Sequence, residues 1–378
     1  MKKKPVSTRP SGRAAKPSPK ASSTVSIDKL RERIDEIDTE MLRLLNTRAS
    51  FAVEIGRAKA KEKKAVYVPE REQQVYKRLG EANTGPLADT AVKSVFREVM
   101  SACRSLERPL CVAFLGPTAT FTHEASMQHF GSSAEFIPKK DISDVFEDVE
   151  KDRADFGVVP IENSSEGVVT HTLDMLITSH LRISAEVMIP VTMALLNKTG
   201  RLSDVRKVCS RPHAIAQCKY WLKDNLPNAV VVDLSSTALG AQMAAEDATV
   251  AAIASAAAAS LYNLKVVENH IEDNANNFTR FLVIGKTQAS ASGNDKTSIL
   301  FAIRDAPGAL YQMLKPFARR HINLTKIESR PIKTKAWEYV FFVDLDGHIN
   351  DKKLKDALAE LEGACSFLKI LGSYPKSC

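Results

Sequence analysis

The sequence predicts a multidomain α and α/β protein, and three observations carry that prediction. From Ile27 the apolar residues recur in steps of three and four, with no proline before Pro69, as long packed helices require. From Leu110 short apolar runs alternate with helical patterns, the mark of helices laid over sheets. From Thr297 the order is strand, helix, strand, strand, helix, strand, a ferredoxin-like βαββαβ unit.

Composition narrows the classes. At 378 residues the chain has room for two or three domains, and 44% hydrophobic with 26% charged residues is ordinary for a globular protein. No apolar run reaches the roughly 18–20 residues of a membrane span, so no membrane partner is expected. The net charge of +8 is concentrated at the start: Lys2, Lys3, Lys4, Arg9, Arg13, Lys16 and Lys20 precede the first acid, Asp28. Without them +1 remains, so the folded part has no basic footprint and no nucleic-acid partner is expected. Residues 1–25, rich in Pro, Ser, Ala and Lys, are predicted to be a disordered basic tail. The competing reading is a transit peptide, against which the prolines and the missing apolar face count. Six cysteines (103, 111, 209, 218, 365 and 378) form no CxxC pair, so neither metal nor a disulfide framework is expected and a cytoplasmic location is the default.

Residues 26–108 are predicted to be helical. Ile27, Leu30, Ile34, Ile37, Met41 and Leu44 form a heptad seam whose continuation is Arg48, Phe51, Ile55 and Lys59. Such a helix must pack on others, a second copy of itself included. Pro69-Glu70-Arg71-Glu72 reads as a helix start, with Pro in the first turn and acids at the positive dipole end. A third helix carries Val92, Val95, Phe96, Val99, Cys103 and Leu106 on one side, and Cys103 shares a face with Glu107. Arg48 and Lys59 on the stripe either snorkel or pair with acids, or they meet a dianion. Leu30-Arg31, Thr47-Arg48, Gly56-Arg57-Ala58-Lys59 and Pro69–Glu72 resemble the all-helical chorismate mutase. The resemblance implies an intertwined dimer in which Arg48 and the partner subunit's Arg31 hold the carboxylates of chorismate. Lys59 would then bond the ether oxygen, Glu72 the ring hydroxyl, and Arg71 would support the site. Val68 stands where that family has Asp, Cys103 where it has Ser, and Glu107 where it has a Gln donor. An ionised carboxylate cannot donate, so mutase activity is expected to fall above neutrality.

Residues 109–288 are predicted to be the α/β domain. Leu110–Leu115, Phe156–Ile161, Val187–Leu196, Val205–Ser210, Ala229–Leu234, Val250–Ala254 and Thr279–Ile284 read as strands. Three hydroxyl-rich loops follow strands: Gly116–Thr122, Pro160–Gly167 and Ser235–Ala238. Any one is explained by a cap or a turn; all three, with Asn277-Phe-Thr-Arg-Phe, favour a small-anion cleft. Thr279 and Arg280 enter their strand side by side and so face opposite ways. No Gly-x-Gly-x-x-Gly or Walker loop appears, and a cofactor-free reaction is expected.

These motifs closely resemble prephenate dehydratase, which implies two α/β lobes similar to a periplasmic binding protein, with the site between them. It also implies that Thr279 donates to the departing hydroxyl, while Arg280, Asn163, Ser164, Thr237 and the Thr118–Thr122 loop anchor substrate. Glu162 would be a structural partner or a proton source. Arg211-Pro212-His213 departs from the usual His-Pro-Gln, and no site role is assigned to it. In the βαββαβ unit at 296–375, Gly308-Ala309-Leu310 and Glu328-Ser329-Arg330-Pro331 look like the phenylalanine-binding motifs of the ACT domain. The strand that Thr279 begins leads within about a dozen residues to the linker of this unit.

The expected protein is a bifunctional chorismate mutase and prephenate dehydratase of phenylalanine biosynthesis, inhibited by phenylalanine. It would act on chorismate and prephenate as a homo-oligomer, either a dimer or a dimer of dimers. The competing readings are an arogenate dehydratase in the second domain, or a non-catalytic sensor of an aromatic ligand.

Overall fold

The computed structural model describes residues 26–62, 67–303, 306–331 and 339–377; the expected tail 1–25 lies outside them. The chain divides between Ser50 and Phe51 into two compact units. The first is described by helix α1 (Ile27–Lys61) up to Ser50. Its predicted seam is there, and every member from Ile27 to Leu44 is between 45% and 68% exposed. No residue of α1 is buried. A stripe of this kind needs a cover.

In the second unit, α2 (Pro69–Ala82) starts with Pro69 in its first turn and Glu70 and Glu72 beside it, as expected. Helix α3 (Asp89–Glu107) buries Met100, Ser101 and Cys103, whereas Val95 and Leu106 of its predicted face stay exposed. Tyr67, just ahead of α2, is buried against Phe130 and Phe156 and bonds His129 at 2.8 Å.

The α/β part follows as β1 (Cys111–Leu115), α4 (Phe121–Phe130), β2 (Glu135–Lys139), α5 (Ile142–Glu150), β3 (Phe156–Asn163), β4 (Gly167–Val168), α6 (Thr170–Thr178) and β5 (Arg182–Pro190). The chain then crosses to β6 (Ala194–Asn197), β7 (Lys207–Ser210), α7 (Pro212–Gln217), α8 (Lys219–Asn225), β8 (Val230–Asp233), α9 (Thr237–Glu246), β9 (Val250–Ala254), α10 (Ala257–Leu261) and β10 (Lys265–Glu268). It returns as β11 (Phe278–Gly285). Two sheets result, ordered β2-β1-β3-β11-β5 with β4 on β3, and β10-β6-β9-β7-β8. Two chain crossings, after β5 and before β11, join the lobes.

The run Val187–Leu196, read as one strand, is two strands in different sheets. Pro190 cannot donate to a ladder, so β5 stops there and the next apolar residues join the second lobe. Strands β2 and β10 escaped prediction because both are short edge strands, β2 with a proline inside it.

The last part is β12 (Asp295–Ile303), α11 (Ala309–Arg319), β13 (Leu324–Pro331), β14 (Tyr339–Asp346), α12 (Lys352–Ala364) and β15 (Phe367–Pro375), with sheet order β13-β14-β12-β15. One face of this sheet packs on α11 and α12 through Phe301, Phe317, Val343 and Leu361. The other face, with Leu300, Val340, Phe342 and Tyr374, joins the core of the first lobe at Leu173, Leu176 and Ile183. Gly372 is needed for this contact: a Cβ there would lie 2.2 Å from the Ile183 carbonyl oxygen. Lys369 caps the far end of α6, donating to the carbonyls of Leu176, Ile177 and Ser179 at 2.9, 3.0 and 2.5 Å.

Candidate active site

β3 and β11 lie antiparallel with Thr279 opposite Asn163 and Arg280 opposite Glu162. Because side chains alternate, this register sorts the two motifs onto two faces. Thr279 and Asn163 face the cleft between the lobes. Their cavity, about 360 Å³, is lined also by Thr120, Thr122, Thr237, Phe281, Glu166, Arg211, His213 and Gln217. That is ample for a compact cyclic diacid.

Asn163, 8% exposed, uses all its bonding capacity. Its amide nitrogen donates to Thr279 Oγ1 at 2.8 Å and to Asn277 Oδ1 at 2.9 Å. Its oxygen accepts from the backbone N–H of Ser165 and Glu166 at 2.8 and 2.9 Å. Thr279 Oγ1 therefore accepts from Asn163, and its own proton is left to donate into the cavity. The capping explanation holds for two of the loops: Thr120 Oγ1 accepts from His123 N–H, and Ser236 Oγ from Leu239 N–H at 3.0 Å. The cavity exists alongside these caps.

Four expected dehydratase residues, Arg280, Glu162, Ser164 and Thr118, are not among those lining the cavity. Arg280 points away from the cleft, 7% exposed, with Nε 2.8 Å from Glu186, Nη1 2.6 Å from Asp344 and Nη2 3.1 Å from the Tyr374 hydroxyl. Burial pushes its pKa down, but Tyr374, Asp344 and Glu186 around it more than offset this and hold it above its ordinary value. Glu162 shares that face and pairs with Lys326 of β13 at 2.6 Å. Ser164 spends its hydroxyl on the turn before β11, accepting from Phe278 N–H at 3.0 Å and lying 3.3 Å from the Asn276 carbonyl. Thr118 is not among the lining residues; Thr120 and Thr122 of its loop are.

The residues that sequence reasoning passed over are the ionisable ones in the cavity, Glu166, Arg211 and His213. His213 Nε2 lies 2.8 Å from Glu166 Oε1 and 2.7 Å from Gln217 Nε2. Glu166 follows β3 and His213 sits on α7, so the contact spans the two lobes. The signal was present: Arg211 and His213 are where the chain departs from its family's pattern.

Of the expected mutase residues, Arg31 pairs with Asp28 at 3.6 Å on the surface of the first unit, which also holds Arg48. In the second unit Glu72 forms an ion pair with Arg104, an arginine not singled out from the sequence, so within this chain its carboxylate is already engaged. Arg104 also lies 5.1 Å over the Tyr67 ring, and burial lowers its pKa. Arg71 bonds Gln74 at 3.2 Å. Cys103 is buried on α3, and Lys59 lies in the last turn of α1. Glu107 Oε2 is buried with no hydrogen-bond partner. Gly56 lies directly on that side chain, since a Cβ there would come within 2.6 Å of Glu107 Cγ.

Gly308, Ala309 and Leu310 line a second cavity of about 260 Å³ with Tyr339 and Phe341; Gly308, at φ +76°, caps α11. Glu328, Ser329, Arg330 and Pro331 lie on edge strand β13 and are not among the residues lining it. Arg330 turns instead to Asp174 of α6 at 2.9 Å. Among the described residues the two motifs do not share that cavity. Among the described residues no group of three or more His, Cys, Asp or Glu is placed to hold a metal ion, and no helix is long and apolar enough to cross a membrane.

Sequence models of three families match in order: chorismate mutase type II at residues 30–108, prephenate dehydratase at 112–289 and the ACT domain at 297–363. The bifunctional chorismate mutase/prephenate dehydratase of Aquifex aeolicus (strain VF5) is 48% identical over 355 residues, 93% of this chain and 98% of its own length. The arogenate dehydratase/prephenate dehydratase 2 of Arabidopsis thaliana, a chloroplastic protein, is 37% identical over 70% of this chain and 72% of its own. The crystal structure of prephenate dehydratase from Arthrobacter aurescens in complex with L-Phe has a TM-score of 0.65 and 40% identity, over 70% of this chain and 89% of that one. With the three matches in this order and near-half identity along almost its whole length, the chain belongs to the bifunctional chorismate mutase/prephenate dehydratase family.

Proposed function

We propose that the chain rearranges chorismate to prephenate in its helical part, 26–108. It then converts prephenate to phenylpyruvate in the two-lobed part, 109–288, and senses phenylalanine through the ACT part, 296–375. The observation that carries the second activity is the Thr279 hydroxyl, fixed by Asn163 and free to donate into a closed-in cleft.

In the dehydratase reaction the C–COO⁻ bond breaks and its electron pair enters the ring. The ring aromatises and the opposite C–OH bond breaks, releasing CO2 and hydroxide. Charge balances, the dianion giving a monocarboxylate and hydroxide. Thr279 donates to the departing oxygen. Its hydroxyl is too weak an acid to surrender the proton outright, so the oxygen leaves as hydroxide and takes up a proton from the solvent after release. Thr237 orients the ring, while Asn163 holds Thr279 in place. Since Arg280 faces elsewhere, the cation available to the substrate is Arg211 at the second lobe, with the His213 imidazole beside it. Substrate then spans the cleft and draws the lobes together.

The mutase reaction needs no nucleophile, only a clamp on a compact conformer and donors where the breaking C–O bond gains charge. Arg31, Arg48, Lys59, Glu72, Arg71, Cys103 and Glu107 remain the residues for that role. Six exposed apolar side chains along α1 support a second copy of this chain as their cover, each worth about 1.5–3 kcal/mol when fully buried. We propose a homodimer or larger, in the cytoplasm. The readings as arogenate dehydratase or as a silent sensor are separated by one experiment. Purified protein is given chorismate, prephenate or arogenate, with and without phenylalanine, and phenylpyruvate and phenylalanine are measured. Prephenate formed from chorismate but never converted to phenylpyruvate would overturn the second half.

A further inference from the structure

On the face of β3 and β11 turned away from the cleft, the charged side chains Arg280 and Glu162 both reach the third sheet. Arg280 reaches Asp344 of β14 and Tyr374 of β15, while Glu162, opposite it in register, reaches Lys326 of β13. Further bonds tie Arg280's partners together. Glu186 of β5 takes Arg280 and also Lys296 of β12 at 2.8 Å, Ser377 N–H donates to Glu186 at 3.1 Å, and Ser298 lies 2.6 Å from the Tyr374 hydroxyl. Arg280 is one residue from Thr279, and Glu162 is one residue from Asn163. The two residues that make the cleft's donor are thus bracketed by two that the ACT sheet grips.

We propose that Arg280 and Glu162 are positioning residues, through which the ACT sheet sets the alignment of the Thr279–Asn163 pair in the dehydratase cleft. Strand β14 joins the two ends of this device. Its Tyr339 and Phe341 line the cavity that holds the Gly308–Leu310 motif, and Asp344, three residues from Phe341, meets Arg280 on the other face. Three residues of strand span about 10 Å. A ligand that shifts β14 moves the carboxylate that holds Arg280. A buried guanidinium cannot give up that partner without its own strand following. Thr279 Oγ1 and Asn163 Nδ2 lie on the same pleats, so their 2.8 Å contact changes with them. Substrate never has to touch the regulatory part.

This rests on the dehydratase reading above, and the test keeps the two apart. In the full chain, Lys326→Met and Asp344→Asn are compared with wild type. Measured are dehydratase kcat and KM, inhibition by phenylalanine, phenylalanine binding by calorimetry, the mutase rate and the thermal midpoint. Each variant is expected to lower dehydratase kcat about tenfold, with KM within about twofold, since misalignment rather than lost binding is the defect. Inhibition should weaken at least about fivefold while calorimetric affinity stays within about twofold, because only the coupling is cut. The mutase rate should not change. Variants that lose thermal stability but keep wild-type kcat and inhibition would make the cluster mere adhesive and overturn the proposal. Lys326→Met, which removes a pair at the edge of the contact, decides the matter even where Asp344→Asn fails to fold. Wild-type protein that makes no phenylpyruvate from prephenate would remove the dehydratase reading, and this proposal with it.

Discussion

Replacing Thr279 by valine keeps the side chain's shape and removes its hydroxyl. Two costs follow from the geometry. Asn163 keeps Asn277 as one acceptor but loses Thr279 Oγ1, so one buried N–H is orphaned. That costs about 1–3 kcal/mol of stability. The larger cost is kinetic. A fixed donor aimed at charge that develops in the transition state is worth about 2.7–4 kcal/mol, a factor of about 10²–10³ in kcat. Thr279→Val is therefore expected to lower phenylpyruvate formation from prephenate by about 10²–10³-fold with little change in KM. Thr279→Ser, which restores the donor, should recover most of it. The assay is steady-state turnover of prephenate, with the mutase rate of the same preparation reporting that the protein is intact. A Thr279→Val enzyme within about fivefold of wild-type kcat would show that the hydroxyl is not the donor, whatever its place in the cleft.

Arg211→Gln removes the guanidinium that faces the cavity, and a charged hydrogen bond worth about 1.5–3 kcal/mol should appear as a KM raised about 10–100-fold, with kcat changed far less. Equal KM before and after would return the anchor to some other group. Gly372→Ala drives a methyl into the Ile183 carbonyl and should lower stability by about 1–3 kcal/mol in a thermal melt, with an unchanged midpoint counting against the close contact. Burial pushes the Glu186 carboxyl up, but Arg280 and Lys296 beside it prevail and hold it below its ordinary value. A carboxylate depressed in the folded state contributes stability above its unfolded pKa, about 4.3, and loses it as pH falls through the folded value. Wild type should accordingly lose more thermal stability between neutral and strongly acidic pH than Glu186→Gln, and parallel losses would disprove the contribution.

Much of this architecture could be read from local patterns. The heptad seam, the proline-led start of α2 and the strand–helix order after Thr297 depend on neighbours three to ten residues apart, and all appear in the structure. The break at Pro190 was hidden because apolar residues continue across it; what separates β5 from β6 is which sheet each joins. The site shows the same divide. Alternation already said that Thr279 and Arg280 face opposite ways, yet both were given to the substrate. The partners that claim Arg280, Asp344 and Tyr374, lie 64 and 94 residues downstream, and no local pattern announces them. Of the two roles open to Glu162, structural partner or proton source, the pair with Lys326 supports the first, and Lys326 belongs to another sheet, again out of reach of any local pattern.

The two sites meet similar substrates with different inventories, and the chemistry explains why. In the Claisen rearrangement negative charge grows on the ether oxygen, so cations and strong donors bind the transition state better than the ground state. Arg31, Arg48 and Lys59, carried on one helix, suit that demand. In the dehydratase a carboxylate loses its charge as CO2 departs. A cation placed on that group would hold the ground state more tightly than the transition state and slow the step. Its cavity accordingly is lined by threonines, Thr120, Thr122, Thr237 and Thr279, with its one arginine, Arg211, on the opposite lobe. An arginine serves there only if it takes the side-chain carboxylate, the one that survives into product. Arg280, had it faced the cleft beside Thr279, would have placed a full charge against the reacting ring; turned to the other face, that charge holds the strand instead.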